Sequence, residues 1–85
     1  MKLPRALAGR ELAAALGRIG YVVVRQTGSH IRLTASTPFG EHHVTIPSHD
    51  ALRVGTLAGI LNEVAKHFRM TRDEVIDTLF EGRRQ

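Results

Sequence analysis

Gly28-Ser29-His30, with Arg25 just before it and Arg32 just after, is the stretch of this chain in which chemistry is most concentrated. A histidine moves protons near neutral pH, a serine offers a hydroxyl, guanidinium groups hold anions, and a glycine gives the backbone freedom and leaves room for a ligand. His43 and His49 are further acid-base candidates. His42-His43 offers two adjacent imidazoles, but neighbours on a strand point to opposite faces and do not readily share one metal ion, so no metal site is expected. Gly55-Thr56-Leu57 reads as a helix start with a threonine cap rather than as a phosphate-binding set of amides.

The elements that must position these residues belong to a short chain. Its 85 residues suffice for a single domain over 1–85. A domain of that size buries only about 60–65% of its unfolded surface, so a site should lie on a face or an edge. The hydrophobic fraction of 42% and charged fraction of 24% are those of a folded globular chain. With no cysteine, disulfides and thiolate metal sites are excluded and packing alone must hold the fold. No run is long and apolar enough to span a bilayer and the first residues lack a signal-peptide pattern, so a soluble, cytoplasmic protein without a membrane partner is the expectation.

The net charge of +4 is unevenly distributed. Over residues 1–35 six basic residues, Lys2, Arg5, Arg10, Arg18, Arg25 and Arg32, stand against Glu11 alone, a net +5, whereas residues 36–85 carry six basic and seven acidic residues, a net −1. The basic part holds Gly28-Ser29-His30. Such a field suits RNA or DNA, and also an acidic protein. Arg83-Arg84 reads as a solvated end.

Leu7, Leu12, Leu16 and Ile19 recur near helical spacing, which predicts a helix over residues 9–19 stopped by Gly20. Residues 21–26 are β-branched and aromatic-rich, Thr27-Gly28 is a turn signal, and residues 29–35 and 42–46 alternate apolar with polar, giving a three-stranded antiparallel meander that Pro47 ends. Thr56 caps a helix carrying Leu57, Ile60, Leu61, Val64 and Phe68. Thr71-Arg72-Asp73-Glu74 is a capping box for a last helix with Val75, Ile76, Leu79 and Phe80. The fold class is α+β, a three-stranded antiparallel sheet packed on helices in the order αβββαα.

A two-residue turn at Thr27-Gly28 sets Arg25 opposite His30, Val24 opposite Ile31 and Val22 opposite Leu33. A second hairpin pairing Leu33 with Val44 and Ile31 with Ile46 continues an apolar face. The other face then collects Arg25, His30, Arg32, Thr34, His43 and Thr45, together with Tyr21 and Val23. Helices cover the first face and leave the second, cationic one free.

Arg10-Glu11-Leu12 with Leu16, Gly20-Tyr21, Arg25-Gln26-Thr27-Gly28-Ser29-His30, Val44-Thr45-Ile46-Pro47 with His49, and Gly55-Thr56-Leu57 with Ile60-Leu61 follow one another in an order and spacing that resemble the HicA toxins over residues 10–61. These are small RNA-cleaving proteins of bacterial toxin-antitoxin pairs with a fold like the double-stranded RNA-binding domain. The resemblance implies that His30 is catalytic, that the reaction is metal-independent and cofactor-free cleavage of mRNA, and that a HicB-type antitoxin occludes the site. Ile31 stands where many relatives carry another histidine or a polar residue, and the segment after Leu61 is longer than theirs.

RNA brings its own nucleophile, the 2′-hydroxyl, so an enzyme needs a base, an acid for the leaving oxygen, and cations for the developing phosphate charge. His30 would supply proton transfer, Arg25 and Arg32 would hold the phosphate, and the turn at Gly28 and Ser29 would complete the RNA site. His43, His49 and water are open as the second proton-transfer group. The alternative is a noncatalytic RNA-binding module on the same basic face, and a third reading is a domain whose sheet meets an acidic protein. Only Tyr21 and the three phenylalanines offer stacking, and Phe68 and Phe80 read as core, so recognition by stacked bases has little support.

Overall fold

The structure, a computed structural model, describes residues 6–81. Lys2, Arg5, Arg83 and Arg84 lie outside the described residues. The chain forms α1 (Gly9–Gly17), β1 (Val22–Thr27), β2 (His30–Thr37), β3 (Gly40–Pro47), α2 (Val54–Phe68) and α3 (Arg72–Ile76), followed by a π-helical turn over Asp77–Glu81. The strands make one antiparallel sheet in the order β1-β2-β3, which is the expected αβββαα arrangement. Leu12 and Leu16 of α1, Ile31 and Leu33 of β2, Ile46 of β3 and Leu61 of α2 meet in one buried cluster.

Local chemistry sets the helix ends. The Ala8 amide donates to Glu11 Oε1 at 2.8 Å, and α1 closes two residues short of the expected end. Residues 18–20 form a turn in which Gly20 takes φ 106°, a conformation glycine adopts without steric cost. The last helix has the expected capping box, with the Glu74 amide donating to Thr71 Oγ1 at 3.1 Å and the Thr71 amide to Glu74 Oε1 at 2.7 Å. Thr56 is not a cap. Arg53 occupies the cap position of α2 and makes no side-chain bond there, which leaves Thr56 inside the first turn.

The second hairpin has the expected register, Leu33 opposite Val44 and Ile31 opposite Ile46. The first does not. Its turn is Gly28-Ser29, so Thr27 faces His30, Gln26 faces Ile31 and Arg25 faces Arg32. Moving the turn by one residue shifts the pairing by two, so Arg25 stays on the face of His30 and Arg32. A bulge at Val24 moves the register again, so that Val23 faces Leu33 and Val22 faces Thr34. Val22 and Val24, expected on the apolar face, are 62% and 58% exposed, and Val23 is 49% exposed. Tyr21, expected on the cationic face, is buried on the helix side of the sheet.

The turn is fixed by residues far away in sequence. Past the end of β3, the Ser48 amide donates to the Ser29 carbonyl at 2.9 Å and Ser48 Oγ to the Gly28 carbonyl at 3.0 Å. The segment carrying Ser48 is itself held by α1, whose Gly9 amide donates to the His49 carbonyl at 2.9 Å. A Cβ at Gly9 would overlap the Pro47 carbonyl oxygen, so glycine is required there by close backbone approach. Gly28, by contrast, is not among the glycines of positive φ, and nothing lies within 4 Å of a Cβ placed on it. Its contribution is open space rather than special backbone freedom.

At the opposite end of the sheet, His42 stacks on His67 of α2 with centroids 4.4 Å apart. The Tyr21 hydroxyl and His42 Nδ1 are 2.7 Å apart, and Thr37 Oγ1 and His67 Nε2 are also 2.7 Å apart. Burial pushes the Tyr21 phenol up to about 12, so it keeps its proton in this pair. Burial also lowers the His42 pKa below its ordinary 6.5; His67 and His43 act in the same direction and Glu63 opposes them.

Two outcomes follow for stability. Gly9→Ala should destabilise the fold by about 1–3 kcal/mol, the cost of forcing atoms into a packed contact, read as a lower urea midpoint; an unchanged midpoint would show that Pro47 can move aside freely. The unfolded chain protonates His42 first, so the stability it contributes is present above pH 6.5 and is lost as the pH falls through the depressed folded value. The parental chain should therefore lose more stability than His42→Gln between about pH 7.5 and about pH 5.5 in paired denaturant titrations.

Candidate nucleic-acid interface

The sheet face turned away from the core is built by alternation. On β2, Ile31, Leu33 and Ala35 are buried, which leaves His30, Arg32 and Thr34 on the open face. The pairings bring Arg25 and Thr27 of β1 to one side of them and His43 and Thr45 of β3 to the other. The sequence-derived set therefore does share a face, although its internal arrangement differs from expectation. Arg25 is opposite Arg32 and not opposite His30.

Two guanidinium groups directly across a strand pair repel one another. Arg25 and Arg32 are both exposed, and neither has an ion-pair partner among the described residues. Arg32 Nη1 donates to Thr45 Oγ1 at 3.3 Å, which holds it toward β3. An anion placed between the two arginines would turn the repulsion into attraction, and planar guanidinium forks suit phosphate oxygens.

His30 begins β2 immediately after the anchored turn, with Thr27 across from it on β1 and Pro47 on β3. Its Nδ1 is 3.1 Å from Ser29 Oγ. With Nδ1–H donating to that hydroxyl, the ring is oriented and Nε2 carries a lone pair in this exposed position. Ser29 thus touches the histidine directly, and Gly28 leaves the space beside it open.

His43 is not brought to the same place. It faces Thr34, four residues along β3 from the Pro47 that faces His30, a separation of roughly 13 Å along the strand. Thr34 Oγ1 lies 2.7 Å from its Nδ1, and Glu41 Oε1 lies 3.5 Å from its Nε2. His49 is closer to His30 in the backbone, since Ser48 already pairs with Ser29 and His49 follows it beside the turn. Its side chain is exposed. His42 and His43 lie on opposite faces, His42 toward His67 and the core side. Among the described residues no group of three or more potential ligands is placed to hold a metal ion, and no helix is long and apolar enough to cross a membrane.

Sequence reasoning missed Ser48 and Gly9, which fix the turn carrying Ser29 and His30, and, although it set Thr45 on this face, it missed the bond by which Thr45 holds Arg32. The only local signal for Ser48 is its place one residue past the proline that ends β3.

The family model for the HicA toxin of bacterial toxin-antitoxin matches residues 9–66, more than half of the chain, and spans α1 through most of α2. Neither a curated protein nor a solved structure matches.

The opposed arginines generate a test that needs no RNA. Arg25→Gln should stabilise the chain by roughly 0.2–0.5 kcal/mol at low ionic strength, since it relieves an exposed like-charge pair. Added salt should erase the difference. A lower stability in the variant at low salt would show that Arg25 has a favourable contact that outweighs its repulsion from Arg32.

Proposed function

The chain belongs to the HicA toxin family of bacterial toxin-antitoxin pairs, and on that premise we propose that it is a metal-independent endoribonuclease that cleaves mRNA, with His30 as its general acid-base group. The observation that carries this reading is the placement of His30, oriented by Ser29 at an anchored turn, on the same open face as the opposed Arg25 and Arg32.

In this reading a phosphodiester sits against the two arginines, which neutralise its non-bridging oxygens as charge develops. His30 Nε2 takes the proton of the ribose 2′-hydroxyl, and that oxygen attacks the adjacent phosphorus. The bond to the 5′-oxygen breaks, and the departing oxygen takes a proton from water, which reaches this exposed site freely. The products are a 2′,3′-cyclic phosphate and a 5′-hydroxyl. The substrate supplies the nucleophile, so the mechanism does not call for a metal-bound hydroxide. A HicB-like antitoxin would silence the protein by covering the same face, and the setting in which mRNA and antitoxin are both met is the cytoplasm.

His30→Ala should fold as the parent does and lose about 10²–10⁴-fold in cleavage rate, the usual contribution of general acid-base catalysis. Cleavage at the parental rate by a folded His30→Ala chain would defeat the assignment. Arg32→Ala should lower RNA affinity and reduce the slope of affinity against salt by about one phosphate contact. Salt-dependent RNA binding by both the parental and His30→Ala chains, with cleavage by neither, would instead favour a noncatalytic RNA-binding module on this face.

A further inference from the structure

Beside the cationic face, β3 and α2 enclose a groove of about 360 Å³ whose walls include His43 and Thr45 from β3 and Gly55, Gly59, Ile60 and Glu63 from α2. Its volume falls at the low end of the range of roughly 300–1,000 Å³ typical of small-molecule sites, too little for a large cofactor and enough for a planar ring. The groove adjoins Arg32: Thr45, on its wall, accepts the hydrogen bond from Arg32 Nη1. A single strand spacing, about 4.8 Å, separates β2 from β3 at that point.

The chemistry of the walls is specific. Ile60 gives an apolar surface for a ring face. The Glu63 carboxylate lies exposed at the wall and has neither a hydrogen bond nor an ion pair among the described residues. It is therefore an acceptor waiting for donors, close enough to His42 to act on that ring's charge. Gly59 lies within α2, where glycine is less favourable than alanine, yet nothing lies within 4 Å of a Cβ built on it. Packing does not require glycine at that position, and the missing side chain leaves the groove open there.

The geometry points to a nucleobase subsite, in which a guanine whose phosphate is held by Arg25 and Arg32 lays its ring against Ile60 and gives its N1–H and N2–H to Glu63. Guanine is the base that presents a carboxylate with two parallel N–H donors from its pairing edge; cytosine and adenine offer a single amino group, and uracil a single imide N–H. This assignment rests on the RNA reading above and would make α2 the element that biases where the strand is cut.

The test uses the 85-residue chain carrying His30→Ala, which keeps binding separate from cleavage, and titrates 5′-GMP, 5′-CMP, 5′-AMP and 5′-UMP while amide chemical shifts are followed. GMP should move amides of β3 and of the 55–63 segment and bind at least about fivefold more tightly than AMP or UMP, the low end for a bidentate base contact. Gly59→Leu, which fills the groove with a good helix former, should raise the thermal midpoint and lose the GMP-induced shifts. Glu63→Gln should keep weak binding and lose the preference. Shifts confined to the Arg25 and Arg32 face, equal for all four nucleotides and untouched by Gly59→Leu, would overturn the proposal. So would an absence of any shift while the parental chain cleaves RNA, which would leave the cleavage reading standing. GMP binding in the groove with no cleavage by the parental chain would do the reverse.

Discussion

The turn that presents His30 on the open sheet face depends on one close approach, the packing of Gly9 against the Pro47 carbonyl at the start of α1. Because no Cβ intervenes, the helix backbone can come near enough to the strand exit for the Gly9 amide to reach the His49 carbonyl. That bond holds the segment in which Ser48 sits, and Ser48 bonds both carbonyls of the Gly28-Ser29 turn. Three sequence-distant pieces are thus tied in series, with His30 as the first residue after the last of them. An exposed turn that would ordinarily be mobile becomes a fixed platform.

The sheet divides labour between its faces. Toward the helices it contributes Ile31, Leu33, Val44 and Ile46 to the core, and this burial is what holds a disulfide-free chain of this size together. Toward solvent it carries an unneutralised arginine pair whose repulsion is tolerable because water and salt screen it. The same pair becomes favourable once an anion lies between its members. One acidic residue does stand on that face, but at its far end, where Glu41 approaches His43. The field is therefore graded, cationic at the anchored turn and mixed toward the β2–β3 hairpin.

The edges are managed differently. β1 is a wholly exposed edge strand with three successive valines, a pattern open to unwanted strand pairing. The bulge at Val24 interrupts the regular ladder in the middle of that run, and bulges twist an edge away from flat pairing. β3, the other edge, is flanked by α2. The stacked His42 and His67 and the Tyr21 hydroxyl close the end of the sheet away from the site, so proton uptake there bears on the stability of the scaffold rather than on the site itself.

The order of elements, the α+β class, the last capping box and the register of the second hairpin were all legible in the residues, because each rests on local chemistry or on two cleanly alternating strands whose apolar faces must coincide. So was the company His30 keeps, Arg25 and Arg32 on one face. The first hairpin was not legible: Thr27-Gly28 and Gly28-Ser29 are both plausible two-residue turns, and three valines in succession carry no alternation to choose between them. The start of α2 was misread because Arg53 caps it without a side-chain bond, which leaves no signature in the sequence. The sequence by itself determined which residues could do chemistry and the sheet that would carry them. Only the tertiary structure decided that Arg25 faces Arg32, that Tyr21 turns inward, and that His30 stands on a turn gripped by Ser48: the first depends on which of two adjacent turns closes the hairpin, the others on contacts between segments 20 and 21 residues apart, and periodicity reports only the neighbourhood of each residue.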